Sequence, residues 1–392
     1  MNSATDHLPV PDGELSVPEH DIPKLRSVRK RGKKHGQPKG TLALLVAAHN
    51  EELVLEQTLR SAIKAGMQAW DIYVVDDNSN DATSEIAKSV IPAANVIKVE
   101  RSGKGLALTK ANRKFELTKR YRWIHIADAD GGFASNYFAV FRKSLRVKYA
   151  AATGYVRSLP GASVSQYRVF EYTWGQDIHR RFQALAHVVS VIPGPTSCFR
   201  SDVFAKVNFA NGSLTEDFDV TLQIHRLGLG KIQFIPQAVA YTQDPRTVGD
   251  FSRQITRWNR GILQGFLRHK IGRGGQRIDA YLTFQVVQNM SFFLGYFVIM
   301  PYAILVAHRS ASMIAAAFLY DVLIMFGLTA YTAARSGRWD VLSSFPQVYA
   351  LRWVTMWAFL RAFVEVVVLR KHRVTRGVWG TEGRRYKQAV TL

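Results

Sequence analysis

The residues in this sequence best suited to chemistry are two acidic pairs, each following a run of apolar residues. Asp76-Asp77-Asn78-Ser79 follows one run, and Asp128-Ala129-Asp130-Gly131 follows another. One such Asp is most often only a capping or turn residue. Two such sites in one sheet favour chemistry, because carboxylates at an Asp-x-Asp spacing suit Mg²⁺ or Mn²⁺, with a diphosphate completing the shell. The sequence therefore predicts a metal site at Asp128 and Asp130, while Asp76 or Asp77 could accept hydrogen bonds from a nucleoside.

A flexible basic segment, Arg101-Ser102-Gly103-Lys104-Gly105, lies between the two acidic pairs. A lysine near a helix start suits a phosphate group. The Gly-x4-Gly-Lys-Ser/Thr spacing of a P-loop is absent, so this is a different kind of phosphate loop. Lys104 is accordingly predicted to contact a donor phosphate.

A third acidic segment, residues 214–219 (LTEDFD), offers a candidate general base. Thr215 is a natural helix N-cap, so an ordinary acidic first turn with Glu216 and Asp217 is one interpretation. The other makes Asp217 a base that takes a proton from an attacking hydroxyl in a cleft beside a metal and a diphosphate.

Residues 253–258 (RQITRW) place Gln254, Arg257 and Trp258 on one side of a helix, at i, i+3 and i+4. One interpretation is an interfacial helix whose Arg side chains extend to lipid headgroups. The alternative has Arg257 neutralising a departing diphosphate and Trp258 stacking on a sugar face.

The scaffold that must position these groups alternates short apolar strands with helical segments over residues 41–235. Such alternation predicts a doubly wound α/β sheet, in which ligands bind beyond the carboxyl ends of the strands. The predicted strands are residues 41–48, 71–76, 95–99 and 122–127, and the predicted helices are 52–65, 81–90 and 105–118.

The 392 residues include 52 Lys and Arg against 30 Asp and Glu, a net charge of +22. A hydrophobic fraction of 47% excludes a disordered chain, and a single cysteine excludes a disulfide framework or a cysteine-based zinc module. Nucleic acid and an anionic membrane compete to explain the charge. The basic residues crowd the two ends of the chain and the helix before the first apolar span. This distribution favours membrane lipids and argues against nucleic acid as a partner.

Five regions follow from these patterns. Residues 1–40 form a basic mobile arm, either a solvated tail or a headgroup tether, with no apolar run typical of a cleaved signal. Residues 41–243 form the α/β domain, 244–280 amphipathic interfacial helices, 281–370 a membrane region, and 371–392 a basic tail. Apolar runs at 282–307 and 312–334 are long enough to cross a bilayer. The run at 345–369 carries Arg352, Arg361 and Glu365, of which the last two can pair at i, i+4. The distribution of basic loops predicts that this third run is interfacial or re-entrant.

Five motifs in this order resemble the membrane-integrated family 2 glycosyltransferases, the group that includes cellulose, chitin, hyaluronan and poly-N-acetylglucosamine synthases. They are AAHNEE (residues 47–52), DDNS (76–79), DAD (128–130), TED (215–217) and QITRW (254–258). The expected Pro of the first motif is Ala47 here. A Trp-containing tail segment at 378–384 matches a family C-terminal motif only loosely.

The resemblance implies a GT-A fold, a UDP-sugar donor and Mg²⁺ or Mn²⁺. It implies that the donor is bound by Ala47, His49, Glu51, Asp76, Asp77, Lys104, Asp128 and Asp130, the last two also holding the metal. Asp217 becomes the catalytic base beside Glu216. Thr215, Gln254, Arg257 and Trp258 become the acceptor and pyrophosphate clamp, and the loop at 193–200, with Cys198, receives the acceptor. Cys198 by itself is more typical of a buried core residue.

The expected activity is inverting transfer of a sugar to a glycan, repeated to build a β-linked polysaccharide at the cell membrane, with the catalytic domain cytoplasmic. The alternatives are a single addition to a lipid-linked or short glycan acceptor, and a binding protein without catalysis, which would need a missing acid. The donor sugar stays open between UDP-N-acetylglucosamine, slightly favoured by family, UDP-glucose and UDP-glucuronate. A homo-oligomer or a partner subunit could complete a polymer channel.

Overall fold

The computed structural model describes residues 40–159, 164–305 and 311–370. The basic arm predicted over residues 1–40 lies outside these ranges except for Gly40. The basic tail at 371–392, with its Trp-containing segment, also lies outside the described residues.

Within these ranges, eight strands form one mixed sheet in the order β3-β2-β1-β4-β7-β6-β8-β5. The pairs β1–β2, β2–β3, β1–β4 and β6–β8 are parallel, whereas β4–β7, β6–β7 and β5–β8 are antiparallel. The strands are β1 Gly40–Ala48, β2 Ile72–Asp76, β3 Val96–Lys98, β4 Tyr121–Asp128, β5 Gly132–Phe133, β6 Tyr149–Ser158, β7 Ser197–Arg200 and β8 Lys231–Thr242.

Strand β1 shows why this sequence folds as a central strand. Its side chains alternate between two cores, with Leu42, Leu44 and Val46 on one face and Ala43 and Leu45 on the other, all at most 2% exposed. Because both faces are covered, the strand is apolar throughout instead of alternating with polar residues. The predicted doubly wound sheet is confirmed.

Helices cover both faces of the sheet and continue towards the C-terminus. They are α1 Leu55–Lys64, α2 Thr83–Val90, α3 Lys104–Phe115, α4 Leu117–Arg120, α5 Tyr137–Ser144, α6 Ser165–Trp174, α7 Arg181–Ala186, α8 Ser201–Phe204, α9 Glu216–Arg226, α10 Val248–Arg268, α11 Arg277–Leu294, α12 Met300–Leu305, α13 Ala311–Ser336, α14 Asp340–Ser343 and α15 Phe345–Phe363. Single π-helical segments follow α6, α11 and α15, at Gly175–Arg180, Gly295–Ile299 and Val364–Val368.

The prediction of a single helix at 105–118 is wrong, because this segment forms two helices, α3 and α4. Glu116 has a left-handed backbone with φ of 51°, which ends α3 and starts the short α4. A residue with this φ interrupts the ladder of i to i−4 hydrogen bonds, so the chain turns here before entering β4.

The register of the three central strands places the acidic motifs side by side. Ala48 of β1 pairs with Asp76 of β2, and Ala47 pairs with Asp128 of β4. The carboxyl ends of these parallel strands therefore meet at one edge of the sheet, which is the edge where ligands bind in this class of fold.

Among the described residues, two helical segments are long and apolar enough to cross a membrane: Arg277–Leu305 and Ser312–Ser336. Only 6% and 11% of their most apolar windows are buried within the protein, unlike the core helices of a soluble domain. The exposed apolar surface of these helices must be shielded from water by something else, and their length and composition match the hydrocarbon layer of a bilayer. The two predicted apolar spans thus match these helices.

The third apolar run forms α15, which packs against α10. Arg361 and Glu365 pair at 3.0 Å, as predicted, and Glu365 also pairs with Arg260 of α10. Arg352 of α15 binds both carboxylate oxygens of Asp321 on α13, at 2.9 and 2.7 Å. These ion pairs join α15 to its neighbours; its interfacial or re-entrant placement stays a prediction.

Candidate active site

A cavity of about 1530 Å³ opens at the carboxyl edge of the sheet and extends to helix α11. Its walls come from the loop before α3, the end of β4, the segment before α9, and helices α10 and α11. The predicted site residues among its lining are Ala47, Glu51, Lys104, Asp128, Asp130, Thr215, Glu216, Asp217, Gln254, Arg257 and Trp258.

Lys104 joins two of the acidic motifs. Its ammonium lies 2.7 Å from Asp128 Oδ1 and 2.8 Å from Glu216 Oε1. Burial by itself would lower the pKa of Lys104, but these two carboxylates hold it above its ordinary value. Burial by itself would raise the pKa of Glu216, but Lys104 holds it below its ordinary value. Glu216 is therefore a charged partner of Lys104 and is poorly suited to accept a proton.

Asp217 differs from its neighbour. Among the described residues it forms no ion pair, and its Oδ1 accepts a hydrogen bond from the Phe218 backbone N–H at 2.8 Å. Burial and the adjacent Glu216 carboxylate raise the pKa of Asp217 to about 6. A carboxylate with a raised pKa, facing a cavity, has the properties of a general base.

The residues at the end of β4 fit a divalent cation bound together with a diphosphate. Burial raises the pKa of Asp128, and the neighbouring Asp130 charge raises it further, whereas Lys104 lowers it. A bound cation would relieve the repulsion between the Asp128 and Asp130 carboxylates. Within the described residues, no cluster of three or more His, Cys, Asp or Glu side chains could hold a metal alone. The remaining ligands must come from the substrate and water. Gly194 lies close against Asp128: a Cβ there would be 2.8 Å from both carboxylate oxygens.

Three predicted donor contacts lie behind the cavity wall. Asp76 is fully buried and accepts hydrogen bonds from the Ser79 backbone N–H and the Ser84 hydroxyl. His49 is 3% exposed, and its Nδ1 lies 2.9 Å from the Asp77 backbone carbonyl.

Asp77, the third of these residues, is also fully buried. Its carboxylate accepts hydrogen bonds from the backbone N–H groups of Ser102 and Gly103, both at 2.8 Å, and from the Ser102 hydroxyl at 3.0 Å. Asp77 thereby anchors the loop that carries Lys104, and direct nucleoside contact stays a prediction for Asp76, Asp77 and His49.

Cys198 is fully buried in β7, within the core between β4 and β6. Burial raises the pKa of its thiol well above the ordinary value. The side chain lies within the sheet core, as expected for a lone cysteine, and the acceptor contact implied for Cys198 stays a prediction. Pro193, Gly194 and Pro195 of the same loop do line the cavity.

Helix α10 carries the Gln-x-x-Arg-Trp motif and approaches α9 closely. Arg257 Nη1 donates to the Leu214 carbonyl at 3.1 Å, directly before the acidic turn. A Cβ at Gly261 would lie 2.3 Å from Thr215 Oγ1, so only glycine permits this approach. Thr215 occupies the N-cap position of α9 but makes no capping hydrogen bond; its Oγ1 is buried without a partner among the described residues.

Sequence reasoning missed Arg168 of α6, which is fully buried. It donates to Glu171 Oε2 at 2.6 Å and to Gln254 Oε1, and its guanidinium lies 4.7 Å from the Phe251 ring centroid and 4.9 Å from that of Trp258. Arg168 therefore holds Gln254 and Trp258 in place. The sequence feature that could have indicated Arg168 is a basic residue within an amphipathic helix rich in aromatic residues, but such residues are common on helix surfaces.

Sequence reasoning also missed Arg180, a 9% exposed residue in the cavity lining. Its Nη1 donates to the Val191 carbonyl, and its Nε has no partner among the described residues. Burial lowers the pKa of Arg180 to about 10, and the nearby Tyr281 and Asp217 oppose the decrease.

The mixed sheet, with acidic residues at adjoining strand ends and an acidic turn at α9, defines a GT-A glycosyltransferase. Residues 38–261 match the family model described as "Glycosyltransferase like family 2", and the chain belongs to this family.

Two curated relatives and one solved structure are similar to the chain. The probable glycosyltransferase YdaM of Bacillus subtilis (strain 168) is 26% identical over 382 residues, 91% of this chain and 87% of that protein. The poly-beta-1,6-N-acetyl-D-glucosamine synthase of Staphylococcus aureus (strain COL) is 26% identical over 234 residues, 58% of this chain and 56% of that protein's length. The mannosyltransferase PcManGT from Pyrobaculum calidifontis, in complex with GDP-Man and Mn²⁺, aligns with a TM-score of 0.53 at 17% identity, covering 86% of this chain and 89% of that one.

Proposed function

We propose that this glycosyltransferase transfers a sugar from a UDP donor to a hydroxyl acceptor with inversion at the anomeric carbon. The observation that carries the proposal is the contrast between two adjacent acids in one cavity. Glu216 is paired with Lys104, whereas Asp217 has no ion pair among the described residues and has a pKa of about 6. One base facing the acceptor and cations facing the leaving group are the requirements of a single displacement.

In this displacement the acceptor oxygen forms a bond to the anomeric carbon as the bond from that carbon to the diphosphate oxygen breaks. Asp217 accepts the hydroxyl proton, and the electron pair of the broken bond leaves on UDP. Lys104 and Arg257 are placed to stabilise the charge developing on the diphosphate. A single inversion converts an α-linked donor into a β-linked product.

Asp128 and Asp130 would hold Mg²⁺ or Mn²⁺, which when bound supplies positive charge to the diphosphate. Mn²⁺ in the structurally similar mannosyltransferase supports a divalent metal. The Ala47, Glu51 and Gly194 positions form the surrounding wall, and Asp77 fixes the Lys104 loop from behind.

For the acceptor, we propose a glycan that is elongated repeatedly into a β-linked polysaccharide at the cell membrane, with the catalytic domain on the cytoplasmic side. The similarity to a poly-N-acetylglucosamine synthase supports this reading and UDP-N-acetylglucosamine as donor. Gln254 and Trp258, held by Arg168, would contact the acceptor. Two helices apolar enough to span a bilayer support the membrane location.

A second candidate is a single addition to a lipid-linked acceptor. One observation favours it: the cavity continues past the acidic turn onto Leu282, Gln285, Val286 and Asn289 of α11, a candidate span. A homo-oligomer or partner subunit would be needed only for a polymer channel.

The test is UDP release by purified full-length protein across UDP-N-acetylglucosamine, UDP-glucose and UDP-glucuronate, with Mg²⁺, Mn²⁺ or chelator. We expect release with one donor, loss on chelation, and radiolabelled product whose size separates a polymer from a single addition. If the protein releases no UDP from any of these donors in the presence of Mg²⁺ or Mn²⁺, the proposal is contradicted.

A further inference from the structure

Arg180 is a buried cation with no carboxylate in ion-pair contact among the described residues. It is 9% exposed, and no ion pair to it occurs in the described part of the chain. The nearest acid on its own helix, Asp177, is committed elsewhere, at 2.9 Å from Arg335 Nε and 3.6 Å from Arg181 Nη2. A buried guanidinium that lacks a counter-ion is costly, so a charge of this kind in a cavity wall indicates an anionic ligand.

The position of Arg180 separates it from the cations that face the donor. Lys104 contacts Asp128 and Glu216 at the strand ends, and Arg257 contacts Leu214. Arg180 instead lies close to Tyr281 at the start of α11, and close enough to Asp217 for that carboxylate to raise its pKa. Arg180 is thus on the side of the proposed base that faces helix α11, where an acceptor would enter.

The adjoining wall combines apolar side chains, which suit a hydrocarbon chain, with the amides of Gln285 and Asn289. Leu282, Gln285, Val286 and Asn289 form one stripe of α11, at i, i+3, i+4 and i+7, about 10 Å along the helix axis. Ile262 and Phe266 of α10 and Phe359 of α15 also line the cavity. Because α11 belongs to a candidate span, this stripe connects the cavity with the depth of a bilayer.

We propose that Arg180 binds an anionic group of the acceptor, and that this acceptor is a lipid carrying a phosphate close to its reacting hydroxyl. The inference rests on the proposed sugar transfer and develops its second candidate, the addition of a sugar to a lipid-linked acceptor. The phosphate would accept hydrogen bonds from the free Nε–H and the outer N–H groups of Arg180, and the hydroxyl would reach Asp217. The lipid chain would lie along the α11 stripe.

The probe is dodecyl phosphate, which has both a chain and a phosphate. Its binding to full-length protein in neutral micelles is compared with that of dodecyl maltoside, which has no charge, and inorganic phosphate, which has no chain. We expect dodecyl phosphate to bind at least about tenfold more tightly than either, the scale of one charge-assisted hydrogen bond. Arg180→Gln should lose roughly this factor, and Arg180→Lys should retain part of it.

Arg181→Gln is the matched control, because Arg181 is the next residue, pairs with Asp177 and is 45% exposed. Arg181→Gln should bind dodecyl phosphate as tightly as the wild type does. Comparing Arg180→Gln with Arg181→Gln corrects the measured binding for non-specific partitioning of the probe into micelles. Equal binding by wild type and Arg180→Gln overturns the inference. Arg180-dependent binding of inorganic phosphate as tight as that of dodecyl phosphate overturns it in favour of a water-soluble anionic acceptor.

UDP binding with Mn²⁺ is measured on the same samples to separate the two proposals. Failure of the wild type to bind UDP contradicts the proposed function, whereas intact UDP binding with no effect of Arg180→Gln contradicts only the acceptor inference. If Arg180→Gln does not fold, phenylglyoxal modification of wild-type protein decides. Dodecyl phosphate should then slow the labelling of Arg180 and not that of Arg181, and equal labelling rates with and without it overturn the inference.

Discussion

The ammonium of Lys104 lies 2.7 Å from Asp128 Oδ1 and joins the end of β4 to the acidic turn of α9 through Glu216. This contact places a positive charge between the carboxylates predicted to hold a metal and the proposed base. Since Coulomb interactions are strong in a partly dry cleft, Lys104 lowers the pKa of Asp128, Glu216 and Asp217 relative to the values they would have without it.

Lys104→Met is expected to move the acidic limb of the pH–rate profile to higher pH. Lys104 lowers the pKa of Asp217, so its removal raises that pKa above about 6, and a higher pH is then needed to ionise the base. Turnover should also fall at every pH, because a cation facing the diphosphate is lost. The measurement is kcat/KM for UDP release against pH. Lys114→Met, on an exposed part of the same helix, is the control, and an unchanged limb in Lys104→Met would refute the coupling.

Asp217→Asn should lower turnover by roughly 10²- to 10⁴-fold, the usual contribution of a general base, and leave UDP binding intact. In the wild type, activity should rise with pH through about 6, because only ionised Asp217 accepts the hydroxyl proton. The Asn variant should lack this limb. Glu116→Gln, which removes an exposed carboxylate paired with Lys119, is the control. Wild-type turnover in Asp217→Asn would exclude Asp217 as the base.

Gly261→Ala should destabilise the protein by about 1–3 kcal/mol and reduce turnover. The added Cβ would lie 2.3 Å from Thr215 Oγ1, and relief of this overlap moves α10 away from α9. Arg257 would then lose its contact with the Leu214 carbonyl. The measurements are the thermal unfolding midpoint and kcat.

Gly249→Ala supplies the matched control on the same helix. The nearest neighbouring atom, Arg253 Nη1, would be 3.7 Å from the new Cβ, so there is room for the methyl group. The better helix propensity of Ala favours a neutral or stabilising effect of up to about 1 kcal/mol. Equal destabilisation by both substitutions would show that the α9–α10 approach does not require Gly261.

Arg168→Lys should raise the acceptor KM and leave UDP affinity unchanged. Lysine keeps the charge but cannot reach Glu171 and Gln254 together while stacking on Phe251 and Trp258. Arg168→Ala should destabilise the fold by about 2–3 kcal/mol, since it removes a fully buried side chain together with its packing and hydrogen bonds. Steady-state kinetics and calorimetry are the measurements, with the exposed Arg157→Lys as control. A parallel loss of UDP affinity in Arg168→Lys would indicate general structural damage instead of a positioning role.

Much of the scaffold was accessible from the sequence. The apolar runs of β1, β2 and β4 are continuous because both faces are buried, and the acids directly after them were correctly located at one sheet edge. The two apolar spans and the Arg361–Glu365 pair are also local patterns, and both were predicted. The break at Glu116 was not, because nothing in its local sequence specifies a left-handed backbone.

The strands and helices up to β4, the acids at the strand ends and the motif helix α10 were thus determined by the sequence alone, since they depend on local apolar periodicity and spacing. Only the tertiary structure decided which acid remains available. Lys104, brought from α3, neutralises Glu216, while Arg268 and His269 of α10 and its C-cap hold Asp219, both at 3.0 Å. Within the part of the chain that the structure describes, neither Asp217 nor Arg180 forms an ion pair, because charges pair through contacts between elements that are distant in the sequence.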